Sequence, residues 1–286
     1  MEPSSKGIPR VAAVHDLSGF GRCSLTVAIP VLSVMGTQCC PLPTAVLSLH
    51  TGLDGFSFHD LTPYLPAYIE SWHSHGLCFD AVYSGFLGSA EQIRLVGGFI
   101  DRLERRPLVL VDPVMADHGQ LYATYTRQMC ADMRALVSRA DIITPNLTEA
   151  CILTDTPYTG EDAPLPAVRG MARRLTELGP TRCVITGILP DEEHILNLAY
   201  DRETDAFIEC AVERTHAVYS GTGDLFASVL CGCLAQGRDL AGSLQTACGF
   251  VRDATLFTQR LGAPVEDGVV FEPLLHQLGG ICHAKD

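Results

Sequence analysis

The chain has 286 residues, of which 47% are hydrophobic and 19% charged, with a formal net charge of −13. That composition supports a sizeable core and excludes a disordered chain, while the acidic balance excludes a nucleic-acid surface. No apolar run approaches the ~18 residues of a membrane-spanning helix. Met-Glu-Pro-Ser-Ser-Lys at the start lacks the pattern of a signal peptide, so a cytoplasmic protein is expected.

Two absences narrow the chemistry further. The only lysines are Lys6 and Lys285, against eighteen arginines. A Walker lysine, a protein-kinase strand lysine and an internal Schiff-base lysine are therefore all excluded. The twelve cysteines contain no CxxC, and Cys231-x-Cys233 falls inside a helical pattern, so they read as thiols in a reducing compartment. There is also no GxSxG, no HExxH and no paired metal-site histidine spacing.

In chain order, Val11–His15 reads as the first strand, running through His15-Asp16 into the glycine turn Ser18-Gly19-Phe20-Gly21-Arg22-Cys23-Ser24. That turn fails the dinucleotide fingerprint, because the third glycine is missing and no acid occurs between Asp16 and Asp54. It suits close approach of backbone to a small ligand. Helix Ser24–Val34 and strand Pro43–Leu47 follow, the strand ending near His50-Thr51-Gly52. Helix Leu61–His75 precedes strand Ala81–Ser84, which leads through Ser84-Gly85-Phe86-Leu87-Gly88-Ser89 into helix Ala90–Arg105. Singly, each glycine junction reads as a turn. Together they offer an imidazole, two hydroxyls and an aromatic face, a set suited to a flat heteroaromatic ring.

Strand Leu108–Asp112 ends on an acid, and Asp117 follows five residues later in a Pro/Gly-bounded loop. Each reads alone as a turn or loop acid; as a pair they suit a hydrated Mg²⁺. Helix Arg127–Ser138 and strand Ile142–Thr144 lead to Pro145-Asn146-Leu-Thr-Glu149, where Asn146 and Glu149 have capping-box spacing at the start of helix Leu147–Leu153. A glutamate there also suits a metal–phosphate site. A surface loop is expected over 154–166, then helix Leu165–Leu178, strand Arg182–Thr186 and helices Leu225–Gln236 and Leu240–Thr258. Continuous apolar strands separated by helices predict a parallel sheet covered on both faces, in a single domain over 1–286. Ligands of such sheets bind beyond the carboxyl ends of the strands.

Ser220-Gly221-Thr222-Gly223-Asp224 stands immediately before the apolar helix at Leu225. Two glycines there can turn successive N–H groups onto one anion. Asp224 admits two readings at that point: a helix N-cap, or a base beside a bound phosphoryl group.

With these segments placed, the chain resembles the ribokinase-like superfamily and, within it, the pyridoxal kinases. The motifs carrying the likeness are Leu47–Gly52, Tyr83–Gln92, Asp112–Gly119, Thr144–Ala150 and Gly221–Ala227. The resemblance implies a three-layer α/β/α fold with a mostly parallel central sheet. It implies an ATP- and Mg²⁺-dependent kinase acting on the 5′-hydroxymethyl group of a B6 vitamer, and a homodimer. By this likeness Asp224 is the base, and Gly221, Thr222 and Gly223 hold the transferring phosphoryl group. Asp112, Asp117, Asn146, Glu149 and Thr186 serve ATP, with Asp112 and Glu149 at the metal, partly through water. His50, Thr51 and Phe86 line the substrate pocket; Asp16 and Ser18, at the end of the first strand, are expected to join them, where the charge of Asp16 would favour an amine-bearing ring. Two departures keep other readings open: the stretch from His15-Asp16 to Gly21 is closer to hydroxymethylpyrimidine kinases, and Phe86 stands where many pyridoxal kinases carry tyrosine. A hydroxymethylpyrimidine (phosphate) kinase and a non-catalytic vitamin- or nucleotide-binding regulator are the alternatives.

Overall fold

The computed structural model describes residues 7–215 and 217–279; both lysines lie outside them. In chain order the elements are β1 (Arg10–Ser18), α1 (Leu25–Val34), β2 (Gln38–Leu47), β3 (Phe58–Asp60), α2 (Leu65–Ser74), β4 (Ala81–Ser84), α3 (Ala90–Asp101), β5 (Leu108–Val111), β6 (Ala116–Asp117), β7 (Gln120–Leu121), α4 (Arg127–Val137), β8 (Ile142–Ile143), α5 (Leu147–Leu153), α6 (Leu165–Glu177), β9 (Arg182–Ile188), β10 (His194–Asp201), β11 (Ala206–Glu213), α7 (Thr222–Ala235) and α8 (Leu240–Leu261). No described helix is long and apolar enough to cross a membrane.

The chain divides into two compact units. The first comprises Met1–Tyr83, Leu103–Leu108 and Thr215–Asp286; the second comprises Ser84–Arg102 and Val109–Arg214.

In the first unit the strands lie in the order β4-β1-β2-β3. β1 pairs with β2 in parallel, with an irregularity between His15 and Leu17 that coincides with Asp16. β1 is buried along almost its whole length, as expected of a central parallel strand. β3 adds antiparallel to the end of β2 through Leu47↔Phe58, and all three of its residues are exposed. With no buried face, β3 has no alternation to betray it in the sequence. Helix α1 packs on β1 and β2, and α7 packs on both α1 and α8. The α7 stretch Leu225–Cys233 is buried throughout, so this helix is an interior element.

In the second unit the order is β11-β10-β9-β8-β5. β5, β8 and β9 run parallel, whereas β9–β10 and β10–β11 are antiparallel. Strands β10 and β11 form a hairpin with no helix between them, so they escape a search for apolar runs alternating with helices. β11 faces solvent along one side, which gives alternating rather than continuous apolar residues. The short β6–β7 pair forms a separate two-stranded ribbon. Helix α6 lies on β9 and β10, and α5 on β9 and β6.

Candidate functional site

Helix α7 begins at Thr222, three residues earlier than the periodicity predicts, and its N-cap is Gly221 rather than Asp224. The capping reading of Asp224 is thereby corrected: Asp224 lies inside the first helical turn. The apolar run marks only the buried part of the helix; the first turn is polar and carries no periodic signal. As the first amides of the helix, Thr222, Gly223 and Asp224 have no carbonyl four residues back to receive them, the arrangement that binds anions. Gly221 has φ +83°, and a Cβ placed there would sit 1.7 Å from the carbonyl oxygen of Arg22. Its lack of a side chain lets the start of α7 lie against the Arg22–Cys23 backbone.

That contact puts Asp224 against the β1–α1 turn. Ser24 adopts φ 52°, unusual for a residue with a side chain, and its N–H donates to Asp224 Oδ2 at 2.8 Å. The Ser24 hydroxyl donates to Asp16 Oδ1 at 2.6 Å, and the Ser18 hydroxyl to Asp16 Oδ2 at 3.0 Å. Ser24 therefore ties two carboxylates into one network. Burial raises the pKa of Asp224 to about 7, opposed by the Ser24 N–H and assisted by the charge of Asp16. Burial also raises that of Asp16, against its two serine donors. His15 is fully buried, with Nδ1 4.0 Å from Asp224 Oδ1, and burial lowers its pKa to about 3, so the ring is neutral.

The expected substrate residues of this unit are differently disposed. Asp16 and Ser18 are buried and bonded to each other. Both ring nitrogens of His50 are engaged: Nδ1 accepts the Gly52 N–H at 3.2 Å, so Nε2 carries the proton and donates to the Glu266 carbonyl at 2.8 Å. His50 thus straps its own loop to the segment at Glu266. Thr51 is exposed.

The second unit gathers another carboxylate pair. The capping box appears as the spacing predicts: Asn146 Oδ1 accepts the Glu149 N–H and Glu149 Oε2 accepts the Asn146 N–H, each at 2.9 Å. Glu149 Oε1 also accepts the Met115 N–H at 3.0 Å, so each of its oxygens holds a backbone donor. Asn146 further donates to the Ala116 carbonyl, and Asn146, beyond the end of β8, forms a parallel backbone bridge with Thr186 of β9. Asp112 is buried and accepts the Thr144 hydroxyl at 2.9 Å. Burial, and then the charge of Asp112, raises the pKa of Glu149 well above the carboxylate range, against its three backbone donors. Asp117 is more open, its side chain 44% exposed, and accepts the His118 N–H. Phe86 is half-buried, its ring 6.2 Å from that of Tyr125.

No cluster of three or more His, Cys, Asp or Glu side chains suited to a metal ion occurs among the described residues. Asp112 and Glu149 nevertheless form a hard, all-oxygen pair whose mutual repulsion a cation would relieve. Such a pair fits Mg²⁺, which keeps several waters and takes one or two carboxylates beside phosphate oxygens.

The family model described as phosphomethylpyrimidine kinase matches residues 32–266. The chain belongs to that family. This kinase is 30% identical to the Bacillus subtilis hydroxymethylpyrimidine/phosphomethylpyrimidine kinase, over 88% of this chain and 84% of that protein. It is 29% identical to the Bordetella avium pyridoxine/pyridoxal/pyridoxamine kinase, over 87% and 85%. A crystal structure from Bacteroides thetaiotaomicron, named for phosphomethylpyrimidine kinase and obtained with pyridoxal, matches at TM-score 0.91 and 42% identity, covering 95% of this chain and 96% of that one. The three-layer α/β/α, mostly parallel fold read from the motifs is the fold of these ribokinase-like relatives. The chain is a vitamin kinase.

Three residues of the first unit's network, His15, Ser24 and Tyr83, fall outside the site set drawn from the sequence. Ser24 was visible only as a helix-start serine, and its left-handed backbone has no sequence signature. His15 adjoins Asp16, but its approach to Asp224 depends on a separation of more than 200 residues. The Tyr83 hydroxyl donates to the Asp224 carbonyl at 3.4 Å, a contact that likewise depends on distant chain segments.

Proposed function

We propose that this chain transfers the γ-phosphoryl group of ATP to the 5′-hydroxymethyl group of pyridoxal, pyridoxamine or pyridoxine, as a single kinase domain in a cytoplasmic homodimer. The observation that carries the reading is Asp224 itself, a carboxylate in the first turn of a helix whose leading amides lie outside the intrahelical ladder, raised to about 7 by burial. A base with that proton affinity suits removal of an alcohol proton at neutral pH.

In the proposed step the alcohol oxygen forms a bond to the γ-phosphorus and its proton passes to Asp224. The bond from the γ-phosphorus to the bridging oxygen breaks, and its electrons leave with ADP. The amides of Thr222, Gly223 and Asp224 stabilise charge on the transferring group. Asp112 and Glu149 would hold Mg²⁺, partly through water, with Asp117, Asn146 and Thr186 serving the nucleotide phosphates. When bound, Mg²⁺ supplies charge neutralisation at the phosphate oxygens. Asp16, Ser18, Thr51 and Phe86 are proposed for the vitamin, with His50 contributing its ring rather than its engaged nitrogens.

The B6 assignment draws support from the Bacteroides relative crystallised with pyridoxal at 42% identity. A hydroxymethylpyrimidine substrate is the second reading, favoured by the family model and the Bacillus relative. The test is a kcat/KM panel of pyridoxal, pyridoxine, pyridoxamine and hydroxymethylpyrimidine with ATP on one preparation. B6 vitamers are expected to lead, with pyridoxamine at least comparable to pyridoxal. A clear preference for the pyrimidine overturns the B6 assignment, and binding without turnover of any of the four overturns catalysis on these vitamins.

A further inference from the structure

His15 is the one histidine of the Asp224 network, and the mechanism above gives it nothing to do. It sits in β1 with no exposure, and neither ring nitrogen has a hydrogen-bond partner among the described residues. A buried imidazole without a partner is costly, because its donor and acceptor both lose water. Its ring is fixed edge-on to Tyr83, with centroids 4.3 Å apart and planes at 72°. Tyr83 in turn donates its hydroxyl to the Asp224 backbone carbonyl at 3.4 Å. These contacts aim Nδ1 at Asp224 Oδ1, the oxygen that the Ser24 N–H does not hold, at 4.0 Å. Catalytic hydrogen bonds are often long before ligands bind and shorten in the loaded site.

We propose that His15, resting on the assignment of Asp224 as base, is a positioning residue whose Nδ1–H donates to Asp224 Oδ1 in the loaded enzyme and steadies the ionised carboxylate. The ring remains neutral throughout, so the proton taken from the alcohol stays on Asp224. The other groups facing Asp224 act on it from fixed places: Asp16 repels its charge, the Ser24 N–H favours it, and the Cys23 thiol is held neutral by burial first and then by the charges of Asp224 and Asp16. None of these groups supplies a donor to Oδ1. His15 is therefore the residue that offsets, at that oxygen, the burial that otherwise protonates the base.

The test compares the pH dependence of kcat in the wild type, His15→Phe, His15→Asn and His15→Gln. Phenylalanine keeps the ring packing and removes both nitrogens; the asparagine amide nitrogen lies near the place of Nδ1 and the glutamine one near Nε2. Removing a donor from a carboxylate raises its pKa, so the rising limb should move to higher pH by about one unit in His15→Phe. It should return toward the wild-type position in His15→Asn and not in His15→Gln, with KM for ATP little changed. An unmoved limb in His15→Phe overturns the proposal, as does a limb shifted to lower pH. If the phenylalanine variant does not fold, equal limbs in the asparagine and glutamine variants overturn it instead. Asp224→Ala, run alongside, separates the failures. Full activity in that variant removes the base assignment itself, whereas an inactive Asp224→Ala with an unmoved His15→Phe limb removes only His15.

Discussion

Asp224 in the first unit and Glu149 in the second are both carboxylates in the first turn of a helix, Glu149 buried and Asp224 with a side chain 16% exposed, and desolvation raises the pKa of both. They differ in what holds them. Glu149 is clamped at each oxygen by a backbone N–H and completes the cap of its own helix. Asp224 caps nothing, accepts one N–H from another segment at Oδ2, and turns Oδ1 toward a histidine too distant to bond. The same residue class at the same helical position is thus fixed in one case and left chemically available in the other. The number and placement of donors separate the two, and the greater exposure of Asp224 acts in the same direction.

The largest expected effect breaks the available member of the pair. Asp224→Ala should lower kcat by about two to four orders of magnitude, the range for a general base, while nucleotide binding persists because the amides of α7 remain. Turnover near wild type in a folded variant would show that Asp224 is not the base.

The second effect is on stability and has a definite sign. The pKa of Asp224 rises on folding from 3.8 to about 7, so its ionisation opposes folding. That penalty is absent well below the lower value, grows through the interval and is complete above about 7. Asp224→Asn should therefore be more stable than wild type at alkaline pH, by on the order of a few kcal/mol, with the advantage vanishing toward pH ~4. Thermal melts of the two proteins across that interval check it; a constant difference would remove the raised pKa.

The two glycines of the anion turn supply a third contrast. Gly221→Ala places a methyl 1.7 Å from the Arg22 carbonyl oxygen at a left-handed φ, whereas a Cβ at Gly223 meets nothing within 4 Å. The first should lose roughly 3 kcal/mol or more of stability. The second should lose none and gain up to about 1 kcal/mol from helix propensity. Denaturant titration measures both, and equal losses would refute the close approach of α7 to the Arg22 backbone.

Glu149→Gln sharpens the clamped side. A carboxamide cannot accept from two N–H groups through both of its ends, so one of the Met115 and Asn146 amides loses its partner, at a cost of about 1–3 kcal/mol. If Glu149 also serves Mg²⁺, the metal concentration for half-maximal rate rises as well. A stability loss with an unchanged Mg²⁺ titration would leave Glu149 purely structural.

The capping box at Asn146–Glu149 was legible because all of its partners lie within four residues, where spacing alone fixes who can reach whom. The strands of the parallel core were legible because burial on both faces writes a continuous apolar run. Strands β3, β10 and β11 were not, since one is fully exposed and the other two pair as a hairpin outside the strand–helix alternation. The first turn of α7 was missed for a related reason, its polar residues lying ahead of the buried stretch.

By itself the sequence determined the local features that carry the family likeness: no internal lysine, a Gly-Thr-Gly-Asp turn before an apolar helix, and acids at strand ends, with the kinase chemistry implied by that likeness. Local patterning suffices there, because helix starts, caps and buried strands depend on near neighbours. Only the tertiary structure decided that Asp224 lies inside its helix, that a left-handed Ser24 binds it together with Asp16, and that His50 has no free ring nitrogen while His15 has two. Those facts depend on contacts across as many as two hundred residues, and on desolvation, which is a property of the packed interior and of no segment alone.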